Sequence, residues 1–436
     1  MSHDDRSEPG HLLLLTSNFP RWSGDDVTPF ILHLAQDLQA LDWRVDVLAP
    51  HAGGAARHEV LDGVPVRRFR YMLPDDRQRV AYGGGALMNV RRSRLVAAQV
   101  PLLVAAQFHA ARRLLATEHF DVVQSHWVLP QGAVGSLVAR PAGVPHLVTV
   151  HGSDVLGLSS TLLTGVKRRA LLGAQAVTAN SSATEHAVRR LVGDQRPVYR
   201  VPMGITVGAL PSADLVARHR AASRRGEGPL LVFVGRLVDW KGVDQLIDAV
   251  ALLAKTLPDV TCAIAGTGPE RASLQHLAEQ RGVADRLHWL GWLEGVDVRA
   301  LQAAADVIVV PSVVQADGTT EGQGLTLLEG MASGTPVVGS AVGGIPDSLT
   351  DNEHGLLVQP GRPDAIATAV RRLTADPALT ARLTAAARHR ATEEFSRARS
   401  ARRFDDVLQQ LTSGARGSSR GHRRFIRQRG RRPTAM

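Results

Sequence analysis

The feature that most constrains the fold of this chain is a regular alternation of short apolar runs with helix-period segments, in two successive series. Short, continuous apolar runs are typical of strands buried on both faces, and the segments between them are typical of crossover helices. The alternation therefore predicts parallel sheets covered by helices. Two series of comparable length predict an α/β protein of two doubly wound, Rossmann-like domains, with a central cleft at the carboxyl ends of both sheets.

The apolar runs also place the expected domain boundaries. Strands are expected at 11–16, 45–49, 121–126, 146–150 and 176–179 in the first series, and at 230–234, 260–265, 287–290, 307–310 and 336–339 in the second. Between the two series, residues 212–229 show little periodicity and predict weak structure. The expected division is an unstructured N-terminus (1–10), a first domain (11–205), a linker (206–228), a second domain (229–396) and a C-terminal helix (397–412) free to pack back on the first domain.

Net charge is distributed unevenly along the chain. The 436 residues include 51 lysines and arginines against 41 acidic residues, which gives a net charge of +10. The segment 413–436 contains eight arginines and no acidic residue, so it carries most of this excess, and its lack of periodicity predicts disorder. The remainder is nearly neutral and only 4% aromatic. Single-stranded nucleic-acid binders usually need aromatic stacking surfaces beside basic groups. A nucleic-acid partner is therefore not expected.

Cysteine content and hydropathy exclude further classes. The one cysteine, Cys262, lies in an apolar run and can form neither an internal disulfide nor a cysteine metal site. The longest apolar stretch, 95–108, is interrupted by Gln99, Pro101 and Gln107 and is shorter than the ~20 residues that span a bilayer. The N-terminus is polar and acidic, unlike a secretion signal. We therefore expect a cytoplasmic protein.

Two basic stretches beside apolar residues have two interpretations. Arg91, Arg92 and Arg94 precede the apolar stretch, and the Lys-Arg-Arg sequence at 167–169 lies among the leucines of 162–172. Such surfaces can dock on anionic lipid, which predicts peripheral contact with the inner face of a membrane. The alternative is that both are ordinary helices packed on the first sheet, with a solvated charged edge.

The sequence after the strand at 307–310 indicates an anion-binding helix start flanked by two carboxylates. Glu321 and Glu329 are eight residues apart, with Gly322 and Gly324 just after the first of them. The glycines favour a helix that begins near Gly324, where unpaired backbone N–H groups suit a phosphate. Carboxylates accept hydrogen bonds from sugar hydroxyls. The alternative is a capping residue followed by an exposed helix glutamate.

Polar residues follow two further strands. Arg236 and Lys241 come just after a strand of the second series, at the sheet edge where cleft residues collect. Together, a guanidinium and an ammonium can hold a diphosphate, although both can also be solvated surface cations. His151 follows a strand of the first series and either contacts a bound sugar or is satisfied at the strand end. Asp154 is either a helix cap or a ligand contact.

Taken together, these motifs resemble the family 4 retaining glycosyltransferases of GT-B architecture. The resemblance covers residues 11–411 and combines a Glu-x7-Glu pair with an Arg/Lys pair upstream. The motifs that carry it are Glu321 to Glu329, Gly235-Arg236 with Lys241-Gly242, Gly266-Thr-Gly-Pro269, Pro202-Met-Gly204, Val342-Gly-Gly-Ile-Pro346, Phe19-Pro20 with Gly24, Thr28-Pro29-Phe30, and His126-Trp127 with Pro130-Gln-Gly132.

The resemblance implies transfer of a sugar from a nucleotide-diphosphate sugar to an acceptor, with retention of anomeric configuration and without a metal or other cofactor. Arg236 and Lys241 would stabilise the leaving diphosphate, Glu321 would hold hydroxyls of the donor sugar, Glu329 would bind the ribose, and His151 would lie against the sugar. Glycines and helix-start residues would approach the donor through their backbones: Gly24, Gly235, Gly324, Leu325 and Thr326. The candidates for acceptor contacts are Asp154 and His126.

Two departures from the family pattern fall on the expected nucleotide side, since Gln323 replaces a frequent aromatic residue and Thr206 a frequent aspartate. The main alternative function is a non-catalytic protein of the same fold that binds nucleotides or carbohydrates. A tail-driven nucleic-acid binder is a third class. A dinucleotide loop at 266–271 is disfavoured because Arg271 occupies the position of its third glycine. The sequence determines neither the donor nucleotide and sugar nor the acceptor.

Overall fold

The structure is a computed structural model of the chain and describes residues 9–25, 27–83, 86–157 and 160–429. Side chains are described for these residues apart from 87 and 415–429. Residues 1–8 of the predicted unstructured N-terminus lie outside the described residues. The same is true of residues 430–436 in the predicted disordered tail.

The first sheet has eight strands, most of them buried on both faces. They are β1 (Gly10–Leu15), β2 (Trp43–Pro50), β3 (His58–Leu61), β4 (Val64–Phe69), β5 (Val122–His126), β6 (His146–Val150), β7 (Ala176–Ala179) and β8 (Val198–Arg200). Their order is β3-β4-β2-β1-β5-β6-β7-β8, and all neighbours run parallel except β3 and β4. The leucines of β1 are completely buried, as expected for a central strand of a covered parallel sheet.

The second sheet has six strands, all parallel. They are β9 (Leu230–Val234), β10 (Thr261–Ala265), β11 (Leu287–Gly291), β12 (Val307–Val310), β13 (Val337–Ser340) and β14 (Leu356–Val358). Their order is β11-β10-β9-β12-β13-β14. β10 and β12 lie on opposite sides of β9, so the order in which strands are added across the sheet reverses at β9. In doubly wound sheets a crevice forms at such a point, beyond the carboxyl ends of the strands.

Helices cover both faces of each sheet. In the first half they are α1 (Pro29–Gln39), α2 (Ala86–Arg92), α3 (Arg94–Ala97), α4 (Val100–Thr117), α5 (Ala133–Ala142), α6 (Ser153–Leu156), α7 (Thr161–Gly173) and α8 (Ser182–Val192). In the second half they are α9 (Ala213–Ser223), α10 (Val243–Leu253), α11 (Arg271–Gln280), α12 (Gly295–Ala304), α13 (Leu325–Ser333), α14 (Ile345–Ser348), α15 (Pro363–Ala375), α16 (Pro377–Phe395) and α17 (Arg397–Arg429). Separate apolar clusters fill the space on the two faces of each sheet.

The expected strands are all present, and the structure adds β3, β4, β8 and β14. These four lie at or next to sheet edges, and they lack the continuous apolar runs that reveal a central strand. β3 and β4 form a hairpin around Asp62-Gly63, whose turn sequence is the local signal that the apolar pattern does not contain. The predicted α/β class with two doubly wound domains is confirmed.

The segment between the two domains is more ordered than its periodicity predicts. Within the expected linker 206–228, α9 begins after Ser212, whose hydroxyl accepts a hydrogen bond from the Leu215 amide. One guanidinium nitrogen of Arg220 in α9 donates to both carboxylate oxygens of Asp306, just before β12. The expectation of weak structure over 212–229 is therefore wrong, because tertiary contacts stabilise a helix that has little amphipathic pattern of its own.

The C-terminal helix α17 packs on the first domain. Phe404 and Leu408 are completely buried in the apolar cluster beneath α1, and the Trp43 indole donates a hydrogen bond of 2.8 Å to Asp405. The helix is described to Arg429, beyond the expected end at residue 412, and disorder of the segment 413–436 stays a prediction. Once a helix is nucleated, each added residue gains a hydrogen bond, and arginine is a good helix former.

Candidate active site

The loops after β9 and β12 meet at the mouth of the cleft. Lys241 ends a short 3-10 turn, and Gly242 then adopts a φ of +66° before α10 begins. A Cβ atom at position 242 would collide with the carbonyl oxygen of Pro311, in the loop after β12. Glycine is therefore required here by both conformation and space. This close approach brings Lys241 within reach of the residues that follow β12.

Lys241 and Glu321 form a close ion pair at this edge. The ammonium lies 2.5 Å from Glu321 Oε2, and the Ser312 hydroxyl lies 3.4 Å from the same oxygen. Their side chains are only 15% and 12% exposed. Burial alone would raise the pKa of Glu321, but Lys241, Ser312 and Arg236 together lower it. Glu321 therefore remains a carboxylate at neutral pH and offers acceptors only.

Arg236 lies beside this pair and is exposed to the cleft. Its guanidinium carbon lies 5.5 Å from the ring centroid of Trp240, within the range of a cation–π contact. Trp240 is itself buried, so it provides a rigid support for a long side chain. Arg236 helps to lower the pKa of Glu321, so it is close enough to act on the carboxylate together with Lys241.

Helix α13 begins next to Glu321, as the glycines predict. Gly324 adopts a φ of +85°, and its carbonyl accepts the first helical hydrogen bonds, from Leu327 and Leu328. The amides of Leu325 and Thr326 precede these bonds and lie at the positive end of the helix dipole. Glu329, one turn further, lines the cleft. The arrangement is suited to an anion that touches the helix start.

The cleft between the domains has a volume of about 780 Å³. Its second-domain wall includes Gly235, Arg236 and Glu329, with an exposed tryptophan, Trp292, at the rim. Thr206, one of the departures from the family pattern, also lines it. The first domain contributes Pro29 and His33 of α1, and Arg397 closes one end. Both the volume of the cleft and the arginines that line it suit an anion of the size of a nucleotide.

Two stacked histidines lie at the carboxyl ends of β5 and β6 in the first domain. His126 Nδ1 and His151 Nε2 lie 2.9 Å apart, and the ring centroids are separated by 5.1 Å. Burial lowers the pKa of His151 to about 3 and that of His126 well below its usual value. Both rings are therefore neutral at physiological pH, and one donates its proton to the other. His151 is half-buried, whereas His126 is completely buried beneath it.

Asp154 lies under the loop that carries His151. Its carboxylate accepts hydrogen bonds from the amides of Val128 (2.9 Å), His151 (3.2 Å) and Gly152 (2.9 Å). Asp154 and His126 are both buried, so the structure places neither expected acceptor contact at the cleft surface. The corrected role of both residues is to support His151 from beneath, which the sequence does not reveal because burial depends on tertiary contacts.

The two domains touch at the donor loop. The His151 carbonyl packs against Gly322, where a Cβ atom would collide with it. Gln323 is buried, accepts a hydrogen bond of 2.9 Å from the Met203 amide and donates one of 2.8 Å to the Met203 carbonyl. Met203 lies where the chain crosses between domains. Gln323 therefore contacts this crossing and does not face the nucleotide side, where the family pattern places it.

Two further residues lie in surroundings that differ from those the sequence predicts. Gly24, expected near the donor, adopts a φ of +81° in an exposed turn, and its neighbour Ser23 donates a hydrogen bond to Asp62 in the β3–β4 turn. Lys167, expected at a solvated or membrane-facing edge, is buried and donates to the carbonyls of Val155 and Gly157. It therefore stabilises the end of α6, because cations pair well with helix C-terminal carbonyls.

Two aromatic residues of the site have no role predicted from the sequence. The Trp127 ring lies 4.9 Å from His151, and the Phe30 ring lies 5.3 Å from it. Trp127 also has a φ of +71°, which is rare for a bulky residue. The position of Trp127 directly after β5, at a carboxyl strand end, is the signal that could have identified it.

Two facing Rossmann-like domains with a cationic, carboxylate-lined cleft define a GT-B glycosyltransferase. The chain belongs to this class by comparison as well. The model for glycosyl transferases group 1 matches residues 217–390, and the model for glycosyltransferase family 4 matches residues 27–208. The protein is therefore a member of the group 1, family 4 glycosyltransferases, and it is an enzyme of that class.

Relatives and solved structures agree with this assignment. The GDP-mannose-dependent alpha-(1-6)-phosphatidylinositol monomannoside mannosyltransferase of Mycolicibacterium smegmatis is 33% identical over 70% of this chain and 79% of its own length. The 2-deoxystreptamine glucosyltransferase of Streptomyces kanamyceticus is 30% identical over 80% and 89%. Sucrose-phosphate synthase from Thermosynechococcus elongatus has a TM-score of 0.75 at 24% identity and covers 93% of this chain and 100% of its own. The Anabaena HepE complex with UDP-glucose has a TM-score of 0.70 at 20% identity and covers 92% and 100%.

Two features are absent from the described residues. No helix there is both long and apolar enough to cross a bilayer. No group of three or more His, Cys, Asp or Glu side chains in the same residues is arranged to hold a metal ion.

Proposed function

We propose that this glycosyltransferase transfers a hexose from a nucleotide-diphosphate sugar to a hydroxyl acceptor, with retention of configuration and without a metal or other cofactor. The observation that carries the proposal is the Lys241–Glu321 ion pair, placed between Arg236 and the start of α13. Two cations and a helix N-terminus provide three favourable contacts for a diphosphate, which otherwise often requires a divalent metal.

The chemistry follows from these charges. When the bond between sugar and diphosphate breaks, negative charge grows on the diphosphate, and Arg236, Lys241 and the α13 amides stabilise it in a partly desolvated cleft. Glu321 is ionised and accepts hydrogen bonds from sugar hydroxyls, and Glu329 is positioned to do the same for the ribose. When the donor binds, its diphosphate and its sugar hydroxyls take over part of the contact between Lys241 and Glu321. The ion pair therefore holds both side chains in place before the donor arrives.

The neutral first-domain side supports retention by attack on the face from which the diphosphate leaves. A double displacement would need a carboxylate free to attack the anomeric carbon from the opposite face. Among the described residues of the first-domain wall, the nearest carboxylate to His151 in the hydrogen-bond network is Asp154, which is buried and accepts three amide hydrogen bonds. A neutral His151 instead contacts the sugar and excludes water from its reacting carbon.

The relatives narrow the choice of substrates to test. GDP-mannose appears in the name of one relative, and UDP-glucose is bound in one solved neighbour. Phosphatidylinositol monomannoside, 2-deoxystreptamine and D-inositol 3-phosphate, named for the relatives, all contain a six-membered carbon ring that bears hydroxyls. We propose GDP- or UDP-hexose as donor and a hydroxylated six-membered ring as the reacting part of the acceptor.

A thermal-shift screen tests the donor. UDP, GDP and ADP, and their glucose and mannose conjugates, are added to the wild type with and without EDTA. At least one is expected to raise the melting temperature equally in both conditions and to lose its effect in Glu321→Ala. The exposed Glu227→Ala variant is the matched control. No shift with any nucleotide would refute the proposal, and a shift abolished by EDTA would refute metal independence. Retention is read from the anomeric proton coupling of the product by NMR.

We also propose that a basic, apolar surface of the first domain contacts anionic membranes. Leu95 of α3 is 81% exposed and Leu162 of α7 is 78% exposed, each with exposed arginines close in sequence. The segments just before these two helices contact one loop of the second domain, since Arg91 of α2 pairs with Asp317 and Gly157, after α6, packs against Thr319. Exposed leucines beside cations suit an anionic lipid surface.

Vesicle sedimentation tests this surface. Phosphatidylcholine vesicles with 30–40% phosphatidylglycerol, roughly the charge density of an anionic leaflet, are expected to bind the wild type, and vesicles of phosphatidylcholine alone to bind it weakly. Leu95→Ser with Leu162→Ser should reduce binding several-fold. The control is Leu137→Ser, which changes an exposed leucine on α5. Equal binding by both variants would contradict the proposed surface.

A further inference from the structure

Trp127 is held in an unfavourable backbone conformation directly after β5. Its φ is +71°, a region that bulky residues rarely occupy. Hydrogen bonds fix the backbone on both sides: the Trp127 amide donates to the Thr149 carbonyl (2.9 Å), and the Trp127 carbonyl accepts from the Gly132 amide (3.0 Å). The next amide, of Val128, donates to the buried Asp154. The surroundings therefore impose this conformation and aim the indole.

The indole lies against His151, whose carbonyl contacts Gly322 in the loop before α13. Its ring centroid lies 4.9 Å from that of His151 and 6.5 Å, edge-on, from that of Phe30. Leu325, the first residue of α13, packs in the same apolar cluster as Phe30 and Trp127. The two aromatic rings therefore contact His151, expected against the donor sugar, and share an apolar cluster with the helix start expected to hold its diphosphate.

The indole also has an unused polar group. Trp127 is half-buried, whereas its neighbours His126 and Val128 are completely buried. Within the part of the chain that the structure describes, its N–H has no hydrogen-bond partner and is not among the buried unpaired polar atoms. A tryptophan N–H at such a position is open to a ligand in the cleft, and tryptophan at binding sites commonly uses both its ring and its N–H.

We propose that Phe30 and Trp127 form an aromatic platform that binds the acceptor ring. The inference rests on the proposed function, and it names the ligand as a hydroxylated six-membered ring, either a sugar or a cyclitol. Such a ring presents C–H groups on one face and hydroxyls at its rim. The C–H face packs on the Trp127 ring, the Phe30 ring, inclined at 63° to it, contacts the side of the ligand, and the Trp127 N–H donates to a rim hydroxyl. The platform replaces Asp154 and His126 as the acceptor contact, and these two residues hold it from beneath.

Saturation-transfer NMR tests the platform without knowledge of the natural acceptor. The probes are myo-inositol and methyl α-D-mannopyranoside at millimolar concentration, added to protein saturated with the nucleotide that stabilises it most. At least one probe is expected to receive saturation, strongest on its ring C–H protons. Trp127→Leu should reduce the signal at least fivefold, and Trp127→Phe, which keeps the ring face and loses the N–H, should give an intermediate signal. Leucine and phenylalanine experience the same backbone constraint, so the series isolates the ring and the N–H.

Trp22→Leu is the matched control. Trp22 is 46% exposed and packs under Arg21, in the loop that contacts the β3–β4 turn. It should retain the full signal. If Trp127→Leu fails to fold, Phe30→Leu provides the same comparison, with an expected loss of twofold or more.

The outcomes separate this inference from the proposed function. Retained saturation in Trp127→Leu, or no saturation of either probe in a wild type that binds nucleotide, overturns the platform and leaves the glycosyl-donor site intact. A wild type that binds no nucleotide refutes the proposed function and the platform with it. With an acceptor that supports turnover, Trp127→Leu is expected to raise the acceptor KM about tenfold and to leave the donor KM within about twofold, a split that general loss of structure would not produce.

Discussion

The two walls of the cleft lie at equivalent places, the carboxyl ends of parallel strands, and have opposite chemistry. The second-domain wall is charged, with Lys241 and Glu321 in contact at 2.5 Å and Arg236 beside them. The first-domain wall is neutral and aromatic, with His151 between the His126 ring and the rings of Phe30 and Trp127. The difference indicates that the charged side chains expected to act on the diphosphate belong to the second domain.

This division suits a transfer between two unlike partners. A leaving diphosphate needs cations that are already fixed in place, because their desolvation then costs nothing at the moment of bond breakage. An acceptor hydroxyl and a reacting sugar carbon need a surface that excludes water and introduces no competing charge. Each of the following predictions changes one wall, or the contact between them, and tests whether the roles are separate.

The largest effect is expected from the charged wall. Lys241→Ala removes the cation closest to Glu321 and should lower kcat/KM for the donor by roughly 100- to 1,000-fold, about 3–4 kcal/mol of transition-state stabilisation. Steady-state kinetics with the donor found by thermal shift measures the loss. Lys255→Ala, at an exposed position near the end of α10, is the matched control. A Lys241→Ala enzyme within fivefold of wild type would place the leaving-group contact elsewhere.

The two walls also differ in how far the sequence predicts them. Arg236, Lys241, Glu321 and the glycine at 324 lie in short motifs that place charges and a helix start directly after strands, and the structure brings all four together. Asp154 lies in a similar position after a strand, but its role depends on the Val128 amide, which arrives from another strand end. Local pattern gives no information about such a contact.

The contact between the walls should give the next largest effect. Gln323→Leu removes both hydrogen bonds to Met203 and leaves a buried amide and carbonyl unpaired, which should lower the free energy of unfolding by about 2–4 kcal/mol. Gln323→Glu keeps the acceptor for the Met203 amide and should lose less. Denaturant unfolding measures both variants, and Gln280→Leu, at an exposed position, is the control. Equal stability of Gln323→Leu and wild type would show that the domain crossing does not depend on this contact.

The neutral wall should respond to the loss of its buried support. Asp154→Asn provides one acceptor oxygen in place of two and turns an amide N–H towards either the Val128 amide or the His151 and Gly152 amides, so stability should fall by about 1–2 kcal/mol. The shift of His151 and Trp127 should lower kcat about tenfold, while nucleotide affinity, which depends on the other wall, changes less than twofold. Calorimetric titration with nucleotide and steady-state kinetics separate the two quantities. Asp194→Asn is the control at an exposed site, and a parallel loss of nucleotide affinity would show that the walls are not independent.

The smallest effect is a pH dependence that belongs to the first domain. His146, behind the neutral wall, is completely buried against Ser125, and burial lowers its pKa to about 3, whereas the unfolded chain titrates near 6.5. Between these values the unfolded state binds more protons, so stability is complete above pH 6.5 and falls as the pH is lowered towards 3. One such histidine should cost ~1–2 kcal/mol between pH 6.5 and 5. His146→Gln should remove this part of the slope in denaturant unfolding, and the exposed His389→Gln should retain it. If His146→Gln has the wild-type slope, the acid sensitivity of the fold arises from other groups, foremost His126 and His151, and the neutral wall itself becomes the first part of the molecule to fail in acid.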